Sequence, residues 1–164
     1  MSQDTLVVKM AELTAVDCRA SKGMKLQTTL GSCVGVVLSD VQKEIRGLAH
    51  IMLPEKNGND QTEGKYADTA IAALVRKMEA MGSRRQDLKA YLFGGACMFQ
   101  FVNAPGIARI GEKNTEVSLR VLKELGIPVV FQDTGGTRGR TVVFDSLSRE
   151  PTVRVLQQFA RKGS

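Results

Sequence analysis

The sequence predicts an α+β fold: a mixed or antiparallel β core, with packed sheets, and helices on the outside. Short β-branched runs broken by glycine fill the first third of the 164-residue chain, which is the signature of strands rather than helices. Two later segments carry helical signals. Helix and strand alternate too little for a doubly wound parallel sheet.

Taken in order, Leu6-Val7-Val8 opens the β-rich region and leads into Met10, Leu13 and Val16. Thr28-Thr29-Leu30 then leads into Val34, Val36, Val37 and Leu38. A polar break begins at Ser39-Asp40, after which the run from Ile45 to Leu53 reads as a further strand, stopped by Pro54. The stretch Glu55 to Gly64 (EKNGNDQTEG) holds no apolar residue and predicts a solvated loop. A helix follows over about Tyr66 to Met81, because Ile71, Leu74, Val75 and Met78 fall at i, i+3, i+4 and i+7. Gly82 is placed to end it. Ala90 to Phe93 predicts a strand running into Gly94-Gly95. A second helix is expected from an N-cap at Asn114 or Thr115. It would bury Val117, Val121, Leu122 and Leu125 and stop at Gly126, with Pro128 just beyond. Val129 to Phe131 and Thr141 to Phe144 read as strands, and the glycine-rich DTGGTRGR between them predicts a hairpin or a backbone-lined turn. The tail from Val153 to Phe159 reads as a short amphipathic helix. No repeat or linker interrupts the pattern, so residues 1–164 are expected to form one domain.

A chain that is 43% hydrophobic and 24% charged has the balance of a globular protein, which excludes wholesale disorder. No apolar run approaches the roughly 18 residues that span a bilayer, and MSQDTLVVKM lacks the features of a secretory signal. A cytoplasmic location without membrane insertion is therefore expected. Three cysteines, odd in number and widely spaced, point to reduced thiols rather than a disulfide scaffold. Lys plus Arg less Asp plus Glu is 23 − 17 = +6, a balance that favours acidic partners. The basic residues are scattered, densest at Arg84-Arg85 and Arg161-Lys162, and there is no Trp. That weighs against nucleic acid, and an acidic protein partner explains the charge equally well.

His50 is the only histidine, so any mechanism with a neutral-pH imidazole base must use it. Among Cys18, Cys33 and Cys97, only Cys33 is framed by small residues, Gly31-Ser32-Cys33-Val34-Gly35, where a strand begins. Glycine on both sides allows a sharp turn and a close approach to the sulfur, and backbone N–H groups nearby can meet a developing oxyanion. A thiolate needs a base or cation to lower its pKa. His50, seventeen residues downstream on the next strand of an expected hairpin, can supply one. The plainer alternative is a thiol acting as a small buried hydrophobe and a histidine at a strand end. Cys18 and Cys97 read as structural, with Cys97 expected to be buried. A zinc site from the three cysteines and His50 has no C-x-x-C spacing to support it. Gly135-Gly136-x-x-Gly139 precedes a strand and lacks the P-loop lysine, so it reads as a tight turn.

Six blocks in order carry a resemblance: LGSCVGV (Leu30 to Val36), GLAHIMLP (Gly47 to Pro54), KYAD (Lys65 to Asp68), FGGA (Phe93 to Ala96), IGEKN (Ile110 to Asn114) and DTGGTRGR (Asp133 to Arg140). From about Val7 to Phe144 the chain resembles the CheD family of chemoreceptor glutamine deamidases. The resemblance implies a cysteine-hydrolase fold similar to the catalytic domain of the cytotoxic necrotizing factor toxins, and hydrolysis of receptor glutamine side chains to glutamate with release of ammonia. It implies no cofactor and no metal. The family's nucleophile falls on Cys33 and its base on His50, with N–H groups around Ser32 to Val34 as the oxyanion donors and Ser32 as a substrate-binding residue. The family's third polar member, a threonine six residues before the cysteine, falls here on Gln27, with Thr28 and Thr29 immediately after. Either Thr28 serves after a one-residue shift, or Gln27 orients His50, or the role is dispensable. Gln27 and Cys33 share parity along a regular strand, which leans slightly to Gln27. Implied partners are the helical bundles of methyl-accepting chemotaxis receptors, which the Glu55–Gly64 loop is placed to contact, and the CheC phosphatase. A catalytically weak adaptor that only binds them is the rival reading.

Overall fold

The computed structural model describes residues 4–97 and 109–157. Strands β1 (Thr5–Val7), β3 (Lys25–Leu30), β8 (Arg140–Asp145) and β9 (Thr152–Val155) form an outer sheet in the order β1-β3-β8-β9. Strands β2 (Leu13–Asp17), β5 (Ile45–Ile51), β4 (Val34–Asp40), β6 (Leu88–Gly94) and β7 (Val129–Thr134) form a central sheet in the order β2-β5-β4-β6-β7. Helices α1 (Ala67–Ala80) and α2 (Ile110–Glu124) cover the far face of the central sheet. The β1·β3 and β6·β7 pairs are parallel and the others antiparallel. The architecture is the expected α+β one, with mixed, packed sheets and outer helices.

Layering follows from which residues can be buried twice. Every residue of β4 and β5 is buried, because these strands have a sheet on one face and helices on the other. Val34, Val36, Leu38, Ile45, Ala49 and Ile51 pack with Ile71, Leu74, Val75 and Met78 of α1 and with Val117, Val121 and Leu122 of α2. The opposite parity, Val37, Leu48, Tyr91 and Phe93, packs against Leu26, Leu30, Val142 and Phe144 of the outer sheet. Alternation with period two thus sorts each strand's side chains into two cores. Gly47 lets α1 approach: a Cβ there would stand 2.8 Å from Leu74 Cδ1 and 3.0 Å from Met78 Sδ.

Several sequence expectations change. The run from Thr28 to Leu38 is two strands in different sheets, turned by the 31–33 bend. DTGGTRGR is no hairpin, since it carries the chain from β7 at the edge of the central sheet to β8 in the outer one. The second helix begins at Ile110, so Asn114 and Thr115 lie inside it rather than capping it. The expected tail helix is instead strand β9 over Thr152–Val155, where Val153 and Val155 alternate with Arg154; Phe159, with Arg161-Lys162, lies outside the described residues. Cys97 is half-buried. The Glu55–Gly64 loop is solvated for most of its length but ends on buried Gly64, where a Cβ would meet the Ala11 carbonyl oxygen at 2.2 Å.

Candidate active site

The hairpin of β4 and β5 sets the geometry. Its register pairs Gly35 with His50 and Val34 with Ile51, so His50 faces the outer sheet with Leu48. Cys33 precedes β4 by one residue and shares the parity of Gly35. It therefore lies on the face of His50 as a diagonal cross-strand neighbour, a relation within reach of long and aromatic side chains. Cys33 is half-buried against the core between the sheets, whereas His50 is only 4% exposed. The thiol is thus the more exposed of the two side chains. Gly35 is not an opening for substrate, as the sequence reading expected: a Cβ there would come 2.9 Å from Leu30 Cδ1, so its bareness accommodates Leu30.

Thr28, 1% exposed, reaches His50 from the facing sheet. Its Oγ1 donates to the Val8 carbonyl at 2.6 Å and stands 2.7 Å from His50 Nδ1. The hydroxyl has one proton, and the carbonyl can only accept it, so Thr28 accepts from Nδ1–H. Val8 O, 3.2 Å from Nδ1, also accepts only. Both neighbours thus fix the tautomer: Nδ1 carries the hydrogen and Nε2 the lone pair. Gln27 points the other way. Residues 26, 28 and 30 of β3 are buried while Gln27 is half-buried on the outer face. The parity lean towards Gln27 fails because β3 and β4 do not continue one strand; they face each other across the sandwich.

Burial pushes the Cys33 thiol above its ordinary pKa and pushes the His50 imidazolium below its own, the latter opposed by the Val8 hydrogen bond and the Glu12 charge. Both shifts favour a neutral thiol beside a neutral imidazole. The sequence reading expected His50 to depress the thiol's pKa; desolvation does the reverse.

The 31–33 bend is tied by its carbonyls. Gly31 O accepts from Ala96 N at 3.0 Å and Cys33 O from Gly95 N at 2.9 Å. Ser32 O accepts from Asn114 Nδ2 at 3.1 Å, and the same amide nitrogen donates to Met52 O at 3.0 Å. The N–H groups of Ser32 and Cys33 meet no acceptor among the described residues. Asn114 was missed as a site residue because a polar residue after Gly111 mimics a helix cap. Arg140 was also missed. Its buried guanidinium donates to the carbonyls of Gly94 (3.3 Å) and Gly135 (2.7 Å) and pairs with Asp133 at 3.2 Å, which locks DTGGTRGR against the end of β6. A cavity of about 730 Å³ lies beyond Gly95, between α2 and Thr134–Gly136, and is not lined by Cys33 or His50. Among the described residues no three His, Cys, Asp or Glu side chains converge on a metal position, and no helix is long and apolar enough to cross a membrane.

Comparison with known proteins joins the blocks to this geometry. The chemoreceptor glutamine deamidase CheD of Halalkalibacterium halodurans is 42% identical over 159 residues, covering 94% of this chain and 96% of its own. The probable chemoreceptor glutamine deamidase CheD of Clostridium novyi is 42% identical over 149 residues, covering 89% and 90%. Among solved structures, that of the hypothetical protein YfiH of Bacillus licheniformis covers 81% of this chain at 12% identity and a TM-score of 0.49. The family model described as CheD chemotactic sensory transduction matches residues 52–155. With that match and relatives aligned over nearly the whole length, the chain belongs to the CheD family.

Proposed function

We propose that this protein hydrolyses selected glutamine side chains of methyl-accepting chemotaxis receptors to glutamate, with Cys33 as nucleophile, His50 as base and acid, and Thr28 as the orienting group. The observation that carries the reading is the His50 Nδ1–H···Thr28 hydrogen bond at 2.7 Å, which leaves Nε2 as a lone-pair base on the face that bears Cys33. In the first step His50 Nε2 takes the thiol proton as sulfur attacks the carboxamide carbon. The N–H groups of Ser32 and Cys33 hold the resulting oxyanion. Imidazolium His50 then protonates the leaving nitrogen, the C–N bond breaks, and ammonia departs to leave a thioester. Water attacks the thioester with its proton passing to Nε2, the C–S bond breaks, and the proton returns to sulfur. The product is a glutamate carboxylate with the enzyme regenerated.

A neutral pair suits this sequence, because proton transfer is coupled to attack and no buried ion pair waits in the resting site. A thiol more exposed than the imidazole suits a substrate carried on a folded helical bundle in the cytoplasm. The net charge of +6 favours encounter with an acidic bundle, and the exposed Glu55–Gly64 loop follows the strand that carries His50. The CheC phosphatase is a further proposed partner. Incubating a purified receptor cytoplasmic domain with the protein and mapping glutamine-to-glutamate conversion by peptide mass spectrometry tests the function. Conversion with wild type and none with Cys33→Ala is expected. Receptor binding without conversion by the wild type would establish the adaptor reading instead.

A further inference from the structure

The three successive carbonyls of Gly31, Ser32 and Cys33 are all held from behind, two by backbone N–H groups and the middle one by a side chain, Asn114. The Asn114 side chain is fully buried in α2. Its Nδ2 gives its hydrogens to Ser32 O and Met52 O, which fixes the amide's orientation, since neither carbonyl can donate. Its Oδ1 has no partner among the described residues. A buried acceptor left unpaired is costly. What the side chain contributes here is its two donated hydrogen bonds.

Those donors act on one peptide plane. In a trans peptide the C=O and the following N–H point in opposite directions. Anchoring Ser32 O to α2 therefore turns the Cys33 N–H away from α2, towards the side of the central sheet where Cys33 and His50 face the outer sheet. The second hydrogen bond, to Met52, ties the same amide to the segment two residues after His50. One side chain thus spans the nucleophile's bend and the base's strand.

We propose that Asn114 is a positioning residue for the oxyanion donors: it holds the Ser32–Cys33 peptide so that the Cys33 N–H faces the carboxamide oxygen as it becomes negative. This rests on the deamidase reading given above. An oxyanion donor matters to acyl transfer and not to displacement at an alkyl carbon, where no oxyanion forms. The two reactions of Cys33 therefore separate loss of the oxyanion donors from loss of thiol reactivity.

The test measures, for wild type, Asn114→Asp and Asn114→Ser, the rate of receptor-glutamine deamidation and the rate of Cys33 alkylation by iodoacetamide in the same samples. Aspartate keeps the size but removes the donors; serine removes their reach. Deamidation kcat is expected to fall roughly 100-fold with KM little changed and the alkylation rate retained. An unfolded chain would expose and alkylate Cys33 while losing deamidation, so both rates are measured on the folded fraction, fixed by denaturant titration of the same samples. A ratio equal to wild type in both variants, or alkylation that falls in step with deamidation, overturns the proposal. A wild-type protein that alkylates but never deamidates overturns the function itself, and this inference with it.

Discussion

At the scale of single residues, the site depends on which proton sits where. Thr28 has its own hydrogen committed to Val8 O and so can only accept from His50. Thr28→Val keeps the shape and removes that acceptor, leaving the Val8 carbonyl, 3.2 Å from Nδ1, as the ring's remaining anchor. Turnover is expected to fall by up to about 100-fold, the scale of a small misplacement of a catalytic group, while Gln27→Ala stays near wild type. Equal losses at both positions, or a silent Thr28→Val, would remove Thr28 from the mechanism. A pH profile tests the protonation states. Because burial holds the His50 imidazolium below its ordinary value of 6.5, the ring stays neutral into mildly acid solution, and, with His50 as the proposed base, the acid limb of kcat/KM is expected below pH 6.5. Burial raises the Cys33 thiol pKa above its ordinary value, so its alkylation rate should still be climbing at pH 9. An alkylation plateau near neutrality would mean a preformed thiolate–imidazolium pair. The same shift makes folding acid-sensitive: the unfolded chain binds the His50 proton more readily, so this contribution to stability is present above pH 6.5 and lost as pH falls through the folded value.

Cys33 and His50 were legible in the sequence because each stands out locally, one as the thiol framed by glycines and the other as the single imidazole. Thr28 was not. Choosing it over Gln27 requires knowing that β3 and β4 belong to facing sheets, which is long-range information that strand parity does not carry. The neutral state of the pair was hidden for the same reason, since desolvation depends on what covers a residue.

At the scale of elements, α1 shows its stripe plainly, with Ile71, Leu74, Val75 and Met78 all buried against the sheet. The first turn of α2 has no such stripe. Its inward positions are Gly111 and Asn114, which make backbone and polar contacts in place of apolar ones, so periodicity begins only at Val117. A Cβ on Gly111 would stand 2.5 Å from Gly95 O and 2.7 Å from Ala96 O. FGGA and IGEKN are therefore two halves of one close contact between a strand end and a helix start. Gly111→Ala must push α2 off that backbone, and a destabilisation of about 1–3 kcal/mol is expected by denaturant titration. A stability equal to wild type would mean that the helix start has room to spare. The tail was misread because a four-residue strand is too short for its alternation to outweigh an amphipathic pattern.

At the scale of the whole molecule, the site exists only where two sheets meet. Cys33 and His50 belong to the hairpin of the central sheet, Thr28 to the outer sheet, and Asn114, which holds the 31–33 bend, to a helix on the opposite face. Packing of Leu26, Leu30, Val142 and Phe144 against Val37, Leu48 and Phe93 sets the separation at which Thr28 meets His50. Arg140 ties the two sheets beyond the end of β6 through Gly94. The layer order was legible as a class, while the assignment of each strand to a sheet was not, because pairing partners such as Lys25 and Asp145 lie far apart in sequence. The proposed mechanism requires a thioester on Cys33 during turnover. Its most direct test is rapid acid quench of the wild-type protein with a receptor cytoplasmic domain, followed by peptide mapping of the adduct. A receptor peptide joined through its glutamine carbonyl to Cys33, and absent from Cys18 and Cys97, is the predicted result. Deamidation that proceeds without any adduct on Cys33, and continues at the wild-type rate in Cys33→Ser, would contradict it.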